Sequence, residues 1–141
     1  MHAISSVVGV QLHVVHASTD RELETVFDGL NASGLVVIGD PFFNCRSEQL
    51  ALSALRYAVP AAYQFRELTN AGGLISYGSS LLDAHRLMGI YTGRVLKGEM
   101  PANLPVQQSA KVELIINKKT AKAIGVSIPT SLLVRADEII E

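Results

Sequence analysis

The ten residues from Leu35 to Asn44 constrain the fold more than any other stretch of the sequence. They read Leu-Val-Val-Ile-Gly-Asp-Pro-Phe-Phe-Asn. The first four are apolar and three of these are β-branched, which is typical of a strand buried on both faces of a sheet. Gly39 and Pro41 end this strand, so Asp40 is expected at its carboxyl end. Ligands of open α/β sheets bind at that edge.

A second stretch, from Gly72 to Ser80, follows the same plan. It reads Gly-Gly-Leu-Ile-Ser-Tyr-Gly-Ser-Ser, a short strand bounded by glycines and followed by hydroxyl groups and one aromatic ring. If the two strands are neighbours, their loops form one wall of a binding cleft. The alternative is that both loops are ordinary turns between a strand and a helix, and the sequence leaves both interpretations open.

Strands and helices alternate along the whole chain. The predicted strands are Val10–Val15, Leu35–Gly39, Pro60–Tyr63, Leu74–Tyr77 and Lys111–Ile116. The predicted helices are Ala3–Val8, a helix through Leu30 that begins at a Thr19/Glu22 capping box, Arg46–Ala58, Phe65–Ala71, Leu81–Leu96, Lys118–Ile124 after an Asn117 cap, and a last short helix through Val134. This alternation predicts an α/β fold with a mainly parallel sheet flanked by helices.

Composition limits the size and the partners of the protein. Its 141 residues fit a single domain, 1–141. Hydrophobic residues make up 48% and charged residues 18%, and a charged fraction of about 25% is usual. No apolar run approaches the roughly 20 residues of a membrane span, so the excess apolar surface should be buried in this domain or against another. The net charge of −1 without a basic stripe predicts no nucleic-acid partner.

The common enzyme motifs are absent. There is no dinucleotide-binding glycine motif, no Walker loop, no nucleophile elbow and no zinc-protease motif. Cys45 and the four histidines lack the spacing of metal ligands. The sequence therefore predicts no catalytic residue, no metal site and no cofactor. The remaining chemistry suits binding, because Asp40 can accept an ammonium group and six of the eight aromatic residues lie between Phe42 and Tyr77.

Several motifs together resemble the ABC-transporter substrate-binding proteins of the periplasmic-binding-protein type I kind. They are Gly39–Phe43, Gly72–Gly78, Gly93–Gly98 with Pro101, Leu104–Val106, Leu114–Pro129 and Leu132–Glu141. The resemblance covers nearly the whole chain. It implies a three-layer, Rossmann-like lobe in a protein that is not an enzyme but the solute-binding component of an ABC import system. Its partners would be a small-molecule solute and an ABC permease.

The resemblance also implies how the chain is organised. Members of this family carry two α/β lobes around a cleft, and this chain corresponds to the carboxyl-terminal half, so a truncated protein is expected. It would be the second lobe, with the segment 74–98 crossing to the first. The family works in the periplasm or as membrane-anchored extracytoplasmic proteins, whereas the sequence as given opens without the basic and apolar regions of a signal peptide.

The binding residues follow from the resemblance by position. The cleft would be faced by the loop at Asp40, the loop after Tyr63 and the loop from Tyr77 to Asp83. Several relatives bind amino acids, some of them aromatic, but the loop at 40–43 is bulkier than in those binders, which leaves the ligand class open. The expected ligand-binding residues are Asp40, Phe42, Phe43, Tyr63, Glu67, Tyr77 and Asp83.

Two other functions remain to be weighed. One is a small Rossmann-like or flavodoxin-like enzyme domain that binds a nucleotide or a flavin, and the lack of a glycine-rich phosphate loop argues against it. The other is a structural remnant that binds no ligand. Purified protein would separate the first from a solute binder by its absorbance, since a bound flavin is coloured.

The longest predicted helix is apolar over an unusually wide part of its circumference. A surface helix has an apolar stripe of about 100°, and this helix exceeds it. Such a helix should contact two partners, so the segment 74–98 is expected to form a homo-oligomer, most simply a two-fold dimer. The apolar residues concerned are Leu81, Leu82, Ala84, Leu87, Met88, Tyr91, Val95 and Leu96.

Overall fold

The computed structural model describes residues 9–107 and 111–141. The chain divides into two compact units, Met1–Asn31 and Ala32–Glu141. In the first unit, helix α1 (Asp20–Asp28) begins as predicted. The hydroxyl of Thr19 accepts a hydrogen bond from the backbone N–H of Glu22 at 3.2 Å, and the Glu22 carboxylate accepts one from the backbone N–H of Thr19. The predicted helix at 3–8 lies outside the described residues.

The predicted strand Val10–Val15 is wrong. This segment is irregular, and the described strands do not pair with it. The side chains of Val10, Val14 and Val15 are exposed. Alternating valines favour extended backbone, but a strand also needs a neighbour to accept and donate its backbone hydrogen bonds.

Within the described residues of the second unit, five strands form one sheet in the order in which they occur along the chain. Strands β1, β2 and β3 are parallel to one another, β4 is antiparallel to β3, and β5 is parallel to β4. The mainly parallel sheet is therefore confirmed, although β5 was not predicted. The strands are β1 (Leu35–Val37), β2 (Ala61–Tyr63), β3 (Ile75–Ser79), β4 (Val112–Asn117) and β5 (Glu138–Ile140).

The helices of the second unit agree with the predicted ones to within two residues at either end. The exception is α2, which was predicted as a loop. It forms because Asp40 caps it and Pro41 occupies its first turn, where a proline is well tolerated. The helices are α2 (Pro41–Asn44), α3 (Ser47–Arg56), α4 (Arg66–Asn70), α5 (Leu81–Leu96), α6 (Lys118–Ala123) and α7 (Thr130–Leu133), with a 3-10 turn at Pro101–Asn103.

One face of the sheet is packed and carries the core. Helix α4 contacts β2, β3 and β4, and α3 contacts α4. On this face Tyr63 of β2 is in register with Ser76 of β3, which in turn pairs with Ile115 of β4. All three side chains are buried. The buried apolar residues of the two helices are Leu50, Ala51, Ala54 and Leu68.

The opposite face is more open, and the prediction that Leu35–Ile38 is buried on both faces is wrong. Val36 is 72% exposed and Ile38 is 58% exposed. Strand β1 lies at the end of the described strand order, so it has only one neighbour. Tyr77 projects from β3 on the same face as Val36, by the alternation of side chains along paired strands.

Asn117 joins the end of β4 to the start of β3. Its backbone N–H donates to the carbonyl of Leu74 at 2.8 Å. Its side-chain Oδ1 accepts from the backbone N–H of Thr120 at 3.1 Å, which confirms the predicted cap. The Thr120 hydroxyl then donates to the carbonyl of Gly72 at 2.7 Å. These bonds hold the amino end of β3 in register with β4.

Two glycines let the strands converge at the opposite edge of the sheet. A Cβ atom on Gly78 would lie well within 3.0 Å of the backbone carbonyl oxygen of Gln64. A Cβ atom on Gly39 would lie equally close to the side-chain Oε1 of Gln64. The Gln64 backbone fits this close to β3 only because Gly78 lacks a side chain, and Gly39 leaves room for the tip of the Gln64 side chain.

We expect Gly78→Ala to be far more destabilising than Gly39→Ala. At Gly78 the new methyl group meets backbone, which cannot move aside without shifting β2, so a loss of roughly 1–3 kcal/mol in the free energy of unfolding is expected. At Gly39 it meets the tip of a flexible side chain. Urea denaturation of both variants checks the prediction, and equal losses would contradict it.

Candidate functional site

The candidate site is the edge of the sheet at which β1, β2 and β3 end. Because these strands are parallel, their carboxyl ends lie at one edge. Strands β4 and β5 run the other way, so their amino ends reach the same edge. Helices α2, α4 and α5 begin directly after the three parallel strands. Crevices at this edge bind ligands in open α/β sheets.

Asp40 lies at the carboxyl end of β1, as predicted, and it is exposed. Its Oδ1 accepts a hydrogen bond from the backbone N–H of Phe42 at 2.8 Å, which caps α2. Capping uses one carboxylate oxygen. The second oxygen can accept a hydrogen bond from a ligand without breaking the cap.

Phe42 and Phe43 form a half-buried aromatic pair next to Asp40. Their ring centroids are 5.3 Å apart and the ring planes meet at 72°, an edge-to-face arrangement. The guanidinium of Arg46 lies 3.9 Å from the centroid of the Phe42 ring. Its Nη1 also donates to the Phe42 carbonyl at 3.2 Å. These contacts fix the orientation of an aromatic surface beside a carboxylate.

Tyr63 belongs to the core and not to the surface of the edge. It is 4% exposed, and its ring lies so close to Gly73 that a Cβ there would come 2.5 Å from Cε2. Burial raises the pKa of its hydroxyl to about 12, and the hydroxyl has no hydrogen-bond partner within the described residues. The sequence placed Tyr63 at the right strand end, but its register with Ser76 turns it to the packed face.

The other three predicted residues lie on α4, β3 and α5. Glu67 is exposed in the first turn of α4. Tyr77 is 69% exposed on the open face of β3, opposite to Tyr63. Asp83 lies in the first turn of α5, where its Oδ1 accepts hydrogen bonds from Nε and Nη2 of Arg86 at 3.1 and 3.0 Å. The described geometry therefore brings together Asp40, Phe42 and Phe43.

Gln64 and Phe65 begin the loop after Tyr63, which was expected to face the cleft, although neither was among the expected ligand-binding residues. Gln64 follows β2, and both its side chain and the ring of Phe65 approach Gly39, the residue before Asp40. Gln64 is exposed and Phe65 is half-buried. Their place in the sequence indicates this edge, because they follow a predicted strand just as Asp40 does.

Charged side chains from three elements meet at the same edge. The guanidinium of Arg66 pairs with Glu113 on β4, at 3.3 Å, and with Glu138 on β5. The ammonium of Lys111 lies 2.8 Å from the Glu113 carboxylate. The hydrogen bond from Lys111 lowers the pKa of Glu113, whose side chain is only 7% exposed. The two cations are thus matched by two carboxylates, and the network ties α4 to β4 and β5.

The family model described as "ABC transporter substrate binding protein" matches residues 8–140. The chain belongs to this family. Substrate-binding proteins of ABC transporters bind a solute, and a site at the strand ends is consistent with that role. A search of curated proteins found no match.

Three solved structures share the fold. The first is a conserved domain protein from Vibrio cholerae, with 20% identity and a TM-score of 0.84, covering 98% of this chain and 47% of that one. The second is an ABC domain in complex with L-Trp from Streptococcus pneumonia, with 24% identity, a TM-score of 0.84, and coverage of 98% and 48%. The third is a ligand-free, open substrate binding protein with adhesive properties from Clostridium difficile, with 18% identity, a TM-score of 0.65, and coverage of 99% and 47%.

This member of the family spans about half the length of the solved structures it matches. In the described part of the chain, no three His, Cys, Asp or Glu side chains are grouped so as to hold a metal ion. None of the described helices combines the length and apolar character needed to cross a membrane.

Replacing Tyr63 by phenylalanine tests its assignment to the core. The change removes a buried hydroxyl that has no described partner, so the free energy of unfolding should stay the same or rise by about 1 kcal/mol. Tyr63→Ala should instead cost roughly 3–5 kcal/mol, the usual loss when a buried aromatic ring is removed. Chemical denaturation of both variants measures this. A clear loss of stability in Tyr63→Phe would show that the hydroxyl is hydrogen-bonded after all.

Proposed function

We propose that this chain is one lobe of the solute-binding component of an ABC importer and that it binds a small molecule at the carboxyl edge of its sheet. The observation that supports this best is the loop after β1. It presents a carboxylate and an oriented pair of phenylalanines side by side, at the edge where open α/β sheets bind ligands, in a chain of the substrate-binding family. The role is binding and not catalysis.

We further propose that the solute is an amino acid with an apolar side chain. The Asp40 carboxylate can accept a charge-assisted hydrogen bond from the solute's ammonium group. The rings of Phe42 and Phe43 can contact an apolar or aromatic side chain. The structure from Streptococcus pneumonia, which shares the fold, holds L-Trp. That neighbour is the reason to choose L-tryptophan as the first probe.

In the full-length protein, we propose that the remaining half forms a first lobe that closes over the solute. This chain covers 47% and 48% of two matched structures, which leaves room for such a lobe. Of the segment 74–98, β3 is paired in the sheet of this unit, so α5 is the part that would then belong to that lobe. Membership of the family supports our proposal of an ABC permease partner and an extracytoplasmic location.

Asp40→Asn is the sharpest test of the ammonium contact. We expect the affinity of the full-length protein for L-tryptophan to fall by roughly 1.5–3 kcal/mol, the scale of a hydrogen bond to a charged group. Asparagine caps helices as well as aspartate does, so α2 should persist and the fold should be unchanged. Isothermal titration calorimetry measures the affinity.

The matched control is Glu48→Gln, which removes one negative charge from the exposed first turn of α3. It should leave the affinity unchanged. Equal affinities of wild type and Asp40→Asn would restrict Asp40 to its capping role. A wild-type protein that binds none of the twenty amino acids would contradict the proposed solute class.

A second proposal concerns α5. When the chain is present without a first lobe, we expect α5 to mediate self-association. None of its described side chains is buried, and Leu96 is 81% exposed. The following segment turns back toward the helix, because the Tyr91 hydroxyl donates to the carbonyl of Pro105 at 2.6 Å and Arg94 pairs with Glu99. An open groove of about 580 Å³ remains along the helix. It is lined by Ala84, Leu87, Met88, Tyr91, Thr92, Val95, Leu96 and Gln107.

A second copy of the chain fits this groove by two-fold symmetry, since each copy then covers the apolar face of the other. A stable interface of this kind buries about 800 Å² on each partner. We expect the 141-residue chain to sediment as a dimer at micromolar concentration and Leu87→Asp to sediment as a monomer.

The control for this experiment is Leu52→Asp, which places the same charge on an exposed leucine of α3, outside the groove. It should remain dimeric. A wild-type chain that sediments as a monomer, with Leu87→Asp behaving alike, would show that α5 needs no partner.

A further inference from the structure

We infer that Gln64 determines the specificity of the site by donating a hydrogen bond from its side-chain amide to the carboxylate of the solute. This inference rests on the proposed function and assigns a specific role to Gln64, the first residue of the loop after Tyr63. It also narrows the solute to a zwitterion, in which a carboxylate and an ammonium group are close together.

The position of Gln64 is the first argument. It follows β2, the middle one of the three parallel strands, and lies between Gly39 at the end of β1 and Gly78 on β3. A Cβ atom on Gly78 would overlap the Gln64 backbone carbonyl, and one on Gly39 would overlap the amide end of the Gln64 side chain. The edge of the sheet is thus built around this residue. Its side chain is exposed at this edge and lies against Gly39, the residue that precedes Asp40.

The chemistry of the amide is the second argument. Within the described residues, the Gln64 amide makes no side-chain hydrogen bond. A glutamine amide can donate two hydrogen bonds and accept two. The amide end of the side chain lies against Gly39, and its NH2 group can donate to a solute carboxylate. Asp40 offers only acceptors, so the two side chains complement the two ends of a zwitterion.

The charges at the edge are the third argument. Arg66 and Lys111 are paired with Glu113 and Glu138. Neither cation is therefore available to a carboxylate without breaking an ion pair. A neutral donor therefore suits a solute with no net charge. A solute with an additional carboxylate would be bound less well, because both cations of this network are already paired.

Calorimetry with two probes tests the inference on the full-length protein. L-tryptophan carries an ammonium group, a carboxylate and an indole, whereas tryptamine lacks the carboxylate. We expect wild type to prefer L-tryptophan. Gln64→Leu should lower the affinity for L-tryptophan about tenfold or more, as expected when a hydrogen bond to a charged group is lost. Its affinity for tryptamine should be unchanged. Gln64→Glu should lower the affinity for L-tryptophan further, because it places the new side-chain carboxylate against the carboxylate of the solute.

Gly39→Ala supplies an independent test that keeps the glutamine. The added methyl group would displace the Gln64 amide, so L-tryptophan should again bind more weakly while tryptamine does not. In a protein that already carries Gln64→Leu, Gly39→Ala should have little further effect on binding, since the amide is gone. Thermal denaturation of each variant shows that the fold is retained. Gln49→Leu on α3 is the control and should bind like wild type.

The outcomes separate the inference from the function on which it rests. A wild-type protein that prefers L-tryptophan, with Gln64→Leu retaining that preference, would overturn the role of Gln64 and leave the proposed function intact. A wild-type protein that binds neither probe would overturn both for this solute class. A loss of L-tryptophan binding confined to the Gln64 and Gly39 variants would support the inference.

Discussion

The close contact of Gln64 with Gly39 and Gly78 is the constraint on which the candidate site depends. Gly78 lets the backbone of β3 approach the Gln64 carbonyl, and Gly39 leaves room for the Gln64 side chain beside the end of β1. The convergence brings the capped loop of Asp40 next to the residues that follow β2. The ion pairs of Arg66 and Glu113 then anchor α4 to β4 beside the same edge.

The features predicted correctly from the sequence are those set by local chemistry. Glycine and proline ended the strands close to their observed ends, and helical periodicity gave α5 its observed bounds, Leu81–Leu96. Asn117 capped α6 because a short polar side chain there can reach the backbone N–H three residues on. Asp40 was correctly placed at the end of β1, although its capping of α2 was not foreseen.

The features that failed depend on partners distant in the sequence. Val10–Val15 has the alternation of a strand but no described strand to pair with. Tyr63 was assigned to the site by its position at the end of a predicted strand. Side chains alternate between the two faces of a strand, but the sequence does not show which face is packed. The loop after Tyr63 was expected at the cleft, but Gln64 was not singled out in it, because Gly39 and Gly78 approach it only in the folded chain.

The most direct test of the account is to observe which backbone amides respond to a solute. A ¹H–¹⁵N NMR titration of the protein with L-tryptophan should shift the amides of residues 39–43, 64–66 and 79–83, which lie at or beside the ends of the three parallel strands. The amides around Asn117 and α6, at the other end of the sheet, should stay in place. Shifts centred on α6, or confined to the groove of α5, would contradict a solute site at the carboxyl edge.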